Sequence, residues 1–236
     1  MFEGARVVVV VPAFDEGPRL GRVLSTLPEL VDHAIVVDDA SRDDTSDVAR
    51  RFAPRVELLQ HAENRGVGAA IVTGYRRALE LTRAPRDAIA VMAGDGQMHP
   101  DDLEALVRPV ARGACDYAKG NRFAWPGGAR MIPPARRLGI SALARLTSLA
   151  IGQRIADAQS GYTVIARAAL AELDLDAVYP RFGYPNDLLG RLARHRIQEI
   201  PVRPIYAGEP SKLRLWHVPR IMALVARAGA RARLGR

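Results

Sequence analysis

RVVVVVPAFDE, from Arg6 to Glu16, is an unbroken β-branched run that meets a proline and turns polar at once. Five consecutive valines leave no polar face, so the run predicts a strand covered on both sides, ending at Pro12. Three later runs share its shape. Ala34–Val37 ends in Asp38-Asp39, Val56–Leu59 precedes Asn64-Arg65-Gly66-Val67-Gly68, and Ala88–Met92 leads into Gly94-Asp95-Gly96-Gln97. Helical patterns lie between them, roughly over Gly17–Leu27, Asp43–Phe52, Gly68–Leu81 and Pro100–Arg112. Asp101 and Asp102 fall in the first turn of the last of these, where acids suit the helix dipole. Apolar strands alternating with amphipathic helices predict an α/β fold, with a mostly parallel central sheet and helices on both faces.

The second half is less regular. Asn121–Pro134 is rich in Gly, Pro and Arg and reads as a loop that orders on a ligand. Pro134–Ile151 reads as a helix, Gly161–Ile165 as a strand, Arg167–Leu173 as a short helix, Tyr184–His195 as a helix and Ile197–Val202 as a late strand. There is no internal repeat and no low-complexity linker, so residues 1–215 are expected to form one domain, followed by a basic tail over 216–236.

A chain of 236 residues that is 48% hydrophobic can build a sizeable core. One cysteine, Cys115, cannot form an internal disulfide, and a strand is expected around it, with the thiol packed as a small hydrophobe. The N-terminal apolar run is too short and too β-branched for a signal peptide, and no stretch approaches the roughly 18 to 20 apolar residues of a membrane span. A cytoplasmic location, at the inner face of the cell membrane, is the expectation. The net charge of +8 rests mostly on arginine, which fits phosphate through two hydrogen bonds at once. Nucleic acid, an anionic membrane surface and phosphorylated small molecules all fit that charge. Nucleic acid is set aside because no aromatic interleaving or recognised motif accompanies it.

Ligands of open α/β sheets bind beyond the carboxyl ends of the strands. Four polar clusters fall there: Pro12-Ala13-Phe14-Asp15-Glu16, Asp38-Asp39, Asn64 to Gly68, and Asp95-Gly96-Gln97. Each alone has a structural reading. Asp38-Asp39 reads as a capping region with Ser41, Gly66 and Gly68 as room for close helix packing, and Asp95 as the start of a turn. Four on one rim make a site.

At this point VVPAFDE (Val10–Glu16), VVDDASRDDT (Val36–Thr45), NRGVGAA (Asn64–Ala70), MAGDGQMHPDD (Met92–Asp102), KGNRF (Lys119–Phe123), DAQSGY (Asp157–Tyr162) and GEPSKL (Gly208–Leu213) resemble, in order, the motifs of family 2 glycosyltransferases with the GT-A fold. The narrower resemblance is to polyprenyl-phosphate sugar synthases such as dolichyl-phosphate mannose synthase. It implies an inverting transfer of a sugar from a GDP- or UDP-linked donor to a lipid phosphate, with Mg²⁺ or Mn²⁺ holding the diphosphate.

On that resemblance Asp95 ligates the metal with Gln97 beside it, and a divalent ion there stabilises the charge that builds on the leaving diphosphate. Ala93 stands where the family's pattern has a further Asp. Asp39, supported by Asp38, resembles the carboxylate that reads the nucleotide base, and Phe14 the aromatic near it. Pro12, Ala13, Glu16, Asn64 and Gly68 complete the donor side. Asp15 replaces the more usual Asn. Arg122, Arg137 and Ser141 resemble phosphate-holding positions; Arg137 and Ser141, four apart on a helix, share a face. Asp157, Gln159, Ser160, Ser211 and Lys212 are assigned to the acceptor side. A phosphate acceptor needs no general base. A hydroxyl acceptor does, and Asp187 is the candidate, although Asn186 replaces the family's Glu and Asp187 also suits a helix's first turn. His33, His61, His99, His195 and His217 show no zinc spacing; His217 resembles the late histidine that some GT-A enzymes place on the metal.

Two rival classes are weighed. A dinucleotide-binding Rossmann domain would use Gly66-x-Gly68, but its third glycine position is Ile71. A non-catalytic nucleotide-sugar binder is raised by Ala93 and opposed by Asp95, Gln97, Arg122 and Asp187. In the tail, Val218, Ile221, Met222 and Val225 fall on one helical face and Arg220, Arg227 and Arg231 on the opposite one. Such a helix lies in an anionic headgroup layer, or packs on its own domain with the arginines in water.

Overall fold

The computed structural model describes residues 1–205, 223–227 and 229–230. Seven strands, β1 (Val7–Ala13), β2 (His33–Asp38), β3 (Val56–Gln60), β4 (Ala88–Val91), β5 (Tyr117–Asn121), β6 (Thr163–Ala166) and β7 (Ile197–Pro201), form one sheet in the order β3-β2-β1-β4-β6-β5-β7. β1 pairs in parallel with β2 and β4, β2 with β3, and β5 with β7. β6 alone runs antiparallel, between β4 and β5. Every residue of β1 is buried, which requires cover on both faces of the sheet.

The helices are α1 (Gly17–Ser25), α2 (Thr45–Arg50), α3 (Val67–Leu81), α4 (Asp102–Ala111), α5 (Gly128–Met131), α6 (Pro134–Ile151), α7 (Arg167–Ala171) and α8 (Tyr184–Arg191), with a 3₁₀ turn at Leu175–Ala177. α3 packs on β1 and β2, and α4 on β5 and β6. The parallel strands β1 to β4 all point their carboxyl ends to one rim, which is where the four polar clusters stand.

Three readings need correction. β1 runs through Pro12 rather than ending there, because the Pro12 carbonyl accepts the Gly94 N–H at 3.2 Å while β4's own pairing has stopped at Val91. The missing proline donor therefore faces a place where no ladder bond is due. The strand expected around Cys115 begins two residues later, at Tyr117. Asp116 accepts the Arg196 side chain and backbone instead, and Cys115 is buried just before the strand. Burial pushes its thiol up to about 11, so it stays protonated and inert. The expected loop over 121–134 contains the short helix α5.

GEPSKL, with Ser211 and Lys212, and Trp216 to Met222, with His217, lie outside the described residues, as does Arg231. Ala223–Arg227 is helical, Leu224 and Val225 are buried, Arg227 is exposed, and the Gly229 backbone lies against Ala150 of α6. Val225, one position of the expected membrane-facing stripe, is thus packed inward.

Candidate active site

The donor rim is built by hydrogen bonds between strand ends. At the end of β2, Asp39 is buried and spends its carboxylate on the loop after β3. Oδ1 accepts the Arg65 N–H at 2.8 Å and Oδ2 the Gly66 N–H at 2.7 Å. His61 Nδ1 lies 2.7 Å from Oδ1, and its Nε2 is held 2.9 Å from the Thr73 hydroxyl on α3. Asn64 donates to the Asp39 carbonyl at 3.3 Å. Asp38 accepts the Ser41 N–H at 2.8 Å and the Ser46 hydroxyl, so it shapes the turn into α2 without capping that helix, whose cap position is Asp44. A carboxylate has about four acceptor sites, so Asp39 retains capacity for a further donor such as a base N–H.

The turn after β1 is stapled to the same loop. Asp15, at φ 53°, accepts the Arg42 N–H at 2.8 Å, and its own N–H donates to Ser41. Glu16 is buried, donates its N–H to Thr45 and pairs with Arg19 at 2.9 Å. Phe14 is left 43% exposed at the mouth of the rim. Gly68 has a packing role as well. A Cβ there would stand 2.2 Å from the Tyr179 carbonyl oxygen, since the 179–181 segment crosses the start of α3 and Ala69 donates to the Pro180 carbonyl at 3.0 Å.

After β4, Asp95 lies part-exposed and accepts the Gln97 N–H at 3.0 Å, while Gly96 supplies the positive φ of the turn. Among the described residues no cluster of three or more His, Cys, Asp or Glu stands ready to hold a metal by itself. The donor set fits an ion such as Mg²⁺ or Mn²⁺ that takes one protein carboxylate and fills its shell from substrate phosphates and water. Asp95 is the carboxylate that this turn offers, Ala93 standing two residues before it.

A second polar cluster, holding residues assigned to the acceptor side from the sequence, gathers at β5, the turn before β6, and β7. Arg122 forks onto Asp157 through Nε and Nη2, and Asp157 is fully buried. Burial pushes the Asp157 carboxyl up, but the Arg122 hydrogen bonds and charge outweigh it and hold its pKa below the ordinary carboxylate value. Lys119, also fully buried, donates to the Ser160 carbonyl; desolvation lowers its pKa to about 8 against the pull of Asp157 and Glu199. Glu199 on β7 accepts the N–H groups of Ala156 and Asp157 at 2.9 and 2.8 Å. Gln159 donates its N–H to Asp157, and its side-chain Nε2 is buried with no hydrogen-bond partner, a donor turned away from water.

Arg137 and Ser141 stand one turn apart on α6, with Arg137 reaching the Ala129 carbonyl at 3.3 Å. Asp187 sits in the first turn of α8, 2% exposed, accepting the Tyr179 N–H at 3.0 Å and Arg191 Nε at 2.9 Å. Its neighbour Asn186 is fully buried and accepts the Thr147 hydroxyl. Sequence reasoning missed Lys119, Glu199, His61 and Arg191. Lys119 lay inside KGNRF, and Arg191 lay four residues after Asp187, the helical ion-pair spacing; Glu199 and His61 carried no such signal.

Carboxylates, an aromatic and a glycine-tight helix start on the carboxyl rim, with a cation fork across from them, are the layout of a GT-A glycosyltransferase. Residues 8–174 match the family described as Glycosyl transferase family 2, and the chain belongs to that family. It is 32% identical to the polyprenol monophosphomannose synthase of Mycolicibacterium smegmatis, over 98% of this chain and 89% of that one. It is likewise 32% identical to the undecaprenyl-phosphate mannosyltransferase of Micrococcus luteus, over 84% and 82%. Among solved structures, it matches the glucosyl-3-phosphoglycerate synthase of Mycobacterium tuberculosis in complex with Mn²⁺, UDP and glucosyl-3-phosphoglycerate with a TM-score of 0.66. That match is 21% identical and covers 98% of this chain and 81% of that one.

Proposed function

We propose that this glycosyltransferase moves a sugar, with inversion, from a GDP- or UDP-linked donor to a polyprenyl phosphate. An acceptor phosphate oxygen attacks the anomeric carbon, the bond from that carbon to the diphosphate oxygen breaks, and its electron pair leaves on the nucleoside diphosphate. A divalent ion, Mg²⁺ or Mn²⁺, held by Asp95 beside Gln97, supplies positive charge to that leaving group. Asp39 and Phe14 receive the base. Pro12, Ala13, Glu16, Asp38, Asn64 and Gly68 shape the donor side. Arg122, Arg137, Ser141, Asp157, Gln159 and Ser160 form the acceptor side, with Ser211 and Lys212 assigned to it from the sequence.

The observation that carries the acceptor class is the state of Asp187. A hydroxyl acceptor needs a base free to take a proton, and Asp187 is buried with its Oδ2 already accepting the Tyr179 N–H and Arg191 Nε. A lipid phosphate arrives already anionic and asks for cations, which the 122–145 region supplies. The two relatives named for lipid-phosphate mannosyl chemistry support this reading. The structural neighbour whose complex holds glucosyl-3-phosphoglycerate keeps a second reading in play, a small-metabolite acceptor. Peripheral contact of the basic tail with the cytoplasmic membrane face belongs to the lipid reading.

Purified protein is incubated with labelled GDP- and UDP-sugars, a divalent ion, and either a polyprenyl phosphate or phosphoglyceric acid. Label that partitions into organic solvent only with the polyprenyl phosphate bears the proposal out. Label found only on the soluble acid overturns it in favour of the second reading.

A further inference from the structure

Three donors of the protein already sit on the Asp39 carboxylate, and their placement decides what a base can add. Oδ1 accepts two of them, the Arg65 N–H at 2.8 Å and His61 Nδ1 at 2.7 Å. Oδ2 accepts one, the Gly66 N–H at 2.7 Å. A carboxylate takes about four hydrogen bonds, two on each oxygen. Oδ1 is therefore full, and among the described residues nothing takes the last site, on Oδ2.

The histidine donor is held as firmly as the two backbone ones. His61 directly follows β3, and its own N–H donates to the Asp38 carbonyl at 2.9 Å. Its side chain is 5% exposed and that of Asp39 4%, so water hardly competes for the bond between them. A carboxylate only accepts, so Nδ1 carries the proton. Nε2 faces the Thr73 hydroxyl at 2.9 Å, which donates to a neutral ring and accepts from a charged one. The bond to Asp39 therefore stands in either state of the ring. Asp38 does not supply a second carboxylate beside Asp39, since its oxygens are turned to Ser41 and to Ser46 of α2.

The nucleotide bases differ in what they bring to such a group. Guanine presents a ring N–H and an amino group side by side, a pair that needs an open site on each oxygen. Uracil presents a single ring N–H between two carbonyls. Cytosine and adenine turn a bare ring nitrogen, itself an acceptor, to the same place. One open site suits uracil. Guanine would leave its amino group against an oxygen with no lone pair to spare, and a donor stranded at a water-poor contact weakens binding.

We propose that this chain selects a uridine diphosphate donor over a guanosine diphosphate one, and that His61 sets the choice by filling the Asp39 oxygen that guanine's amino group would use. The choice of base rests on the assignment of Asp39 to the donor side above. His61 is a positioning residue in this scheme, acting on the base through Asp39.

The test titrates the full chain with nucleoside diphosphates in the presence of Mn²⁺, by calorimetry. UDP is expected to bind roughly tenfold or more tighter than GDP, the scale for one stranded donor. Inosine diphosphate, which is GDP without the amino group, should bind at least as tightly as GDP. 3-Methyl-UDP, whose ring N–H is gone, should bind roughly tenfold or more weaker than UDP. His61→Asn, which keeps an N–H near the Nδ1 position, should preserve the preference for UDP. His61→Phe, which keeps a ring and removes the donor, should narrow it by roughly fivefold or more. GDP binding as tightly as UDP, inosine diphosphate binding more weakly than GDP, or an unchanged preference in folded His61→Phe overturns the inference. If His61→Phe does not fold, the inosine comparison on the intact chain decides alone. A preference for GDP overturns the choice of base and leaves the glycosyl transfer reading standing. Failure of all four nucleotides to bind overturns both.

Discussion

Arg122 grips Asp157 from two sides at once, with Nε 2.7 Å from Oδ2 and Nη2 2.9 Å from Oδ1. Asp157 is fully buried and the Arg122 side chain only 18% exposed, so neither charge has bulk water to fall back on. The fork holds the guanidinium in one orientation at the end of β5, so under the proposed lipid-phosphate reading an acceptor phosphate would meet a cation already fixed in place.

Asp157→Asn should therefore cost about 3 kcal/mol of stability, the scale for stranding one half of a buried pair. It should also raise KM for the acceptor more than KM for the donor. The depressed pKa of Asp157 sets the pH dependence. The stabilisation is present above the unfolded carboxylate value, near 3.9, and is lost as pH falls through the lower folded value. Urea unfolding from pH 7 down to acid checks both; a variant as stable as the parent at neutral pH contradicts the pair's role.

Lys119 moves the other way. Burial lowers it to about 8, against roughly 10.4 in an unfolded chain. Between those values the unfolded chain keeps a proton that the folded chain has released, so stability rises with pH across that window. The unfolding free energy of the parent, taken relative to Lys119→Met, is expected to climb between about pH 8 and pH 10. Parallel curves would show that Lys119 titrates like an exposed lysine.

Gly68→Ala places a methyl 2.2 Å from one backbone oxygen and 2.9 Å from the Pro180 carbonyl carbon, neither of which belongs to a flexible side chain. The 179–181 segment must move off the start of α3. A loss of about 1–3 kcal/mol is expected, the range for overpacking, with weaker donor binding because Asp39 holds the same loop at Arg65 and Gly66. Thermal melting and nucleotide titration of the variant check this; an unshifted melting curve shows that the contact is loose.

Asp187→Asn separates the two acceptor classes. Losing the Arg191 partner lowers stability, but turnover by the folded fraction onto a lipid phosphate should stay within roughly tenfold of the parent, while loss of a general base costs about 10²–10⁴. Arg122→Lys, which keeps the charge and breaks the fork, should lose more than Asp187→Asn. The reverse ranking points to a hydroxyl acceptor.

The first half of this fold was readable because its code is local. Five valines make a two-sided strand, and each polar cluster follows its strand directly, so the rim could be placed without coordinates. Pro12 misled because a proline normally ends a central strand, and only tertiary placement shows that β4 has already stopped beside it. The acceptor side was less legible. Asp157, Lys119 and Glu199 come from three distant segments, and nothing in sequence spacing joins them. Arg122 was singled out by its motif, but its grip on Asp157 appears only once β5 and the turn before β6 are side by side.

Asp95 as the protein's carboxylate on the donor metal is tested most directly by the electron paramagnetic resonance signal of free Mn²⁺. Protein alone should take up little of the ion, since no ready-made metal cluster exists among the described residues. Protein with GDP or UDP should deplete the free signal, as one carboxylate and the diphosphate oxygens close the shell together. Asp95→Asn, with an unchanged circular dichroism spectrum, should return the signal to the level of nucleotide alone. Equal Mn²⁺ uptake by the parent and Asp95→Asn in the presence of nucleotide would contradict the assignment.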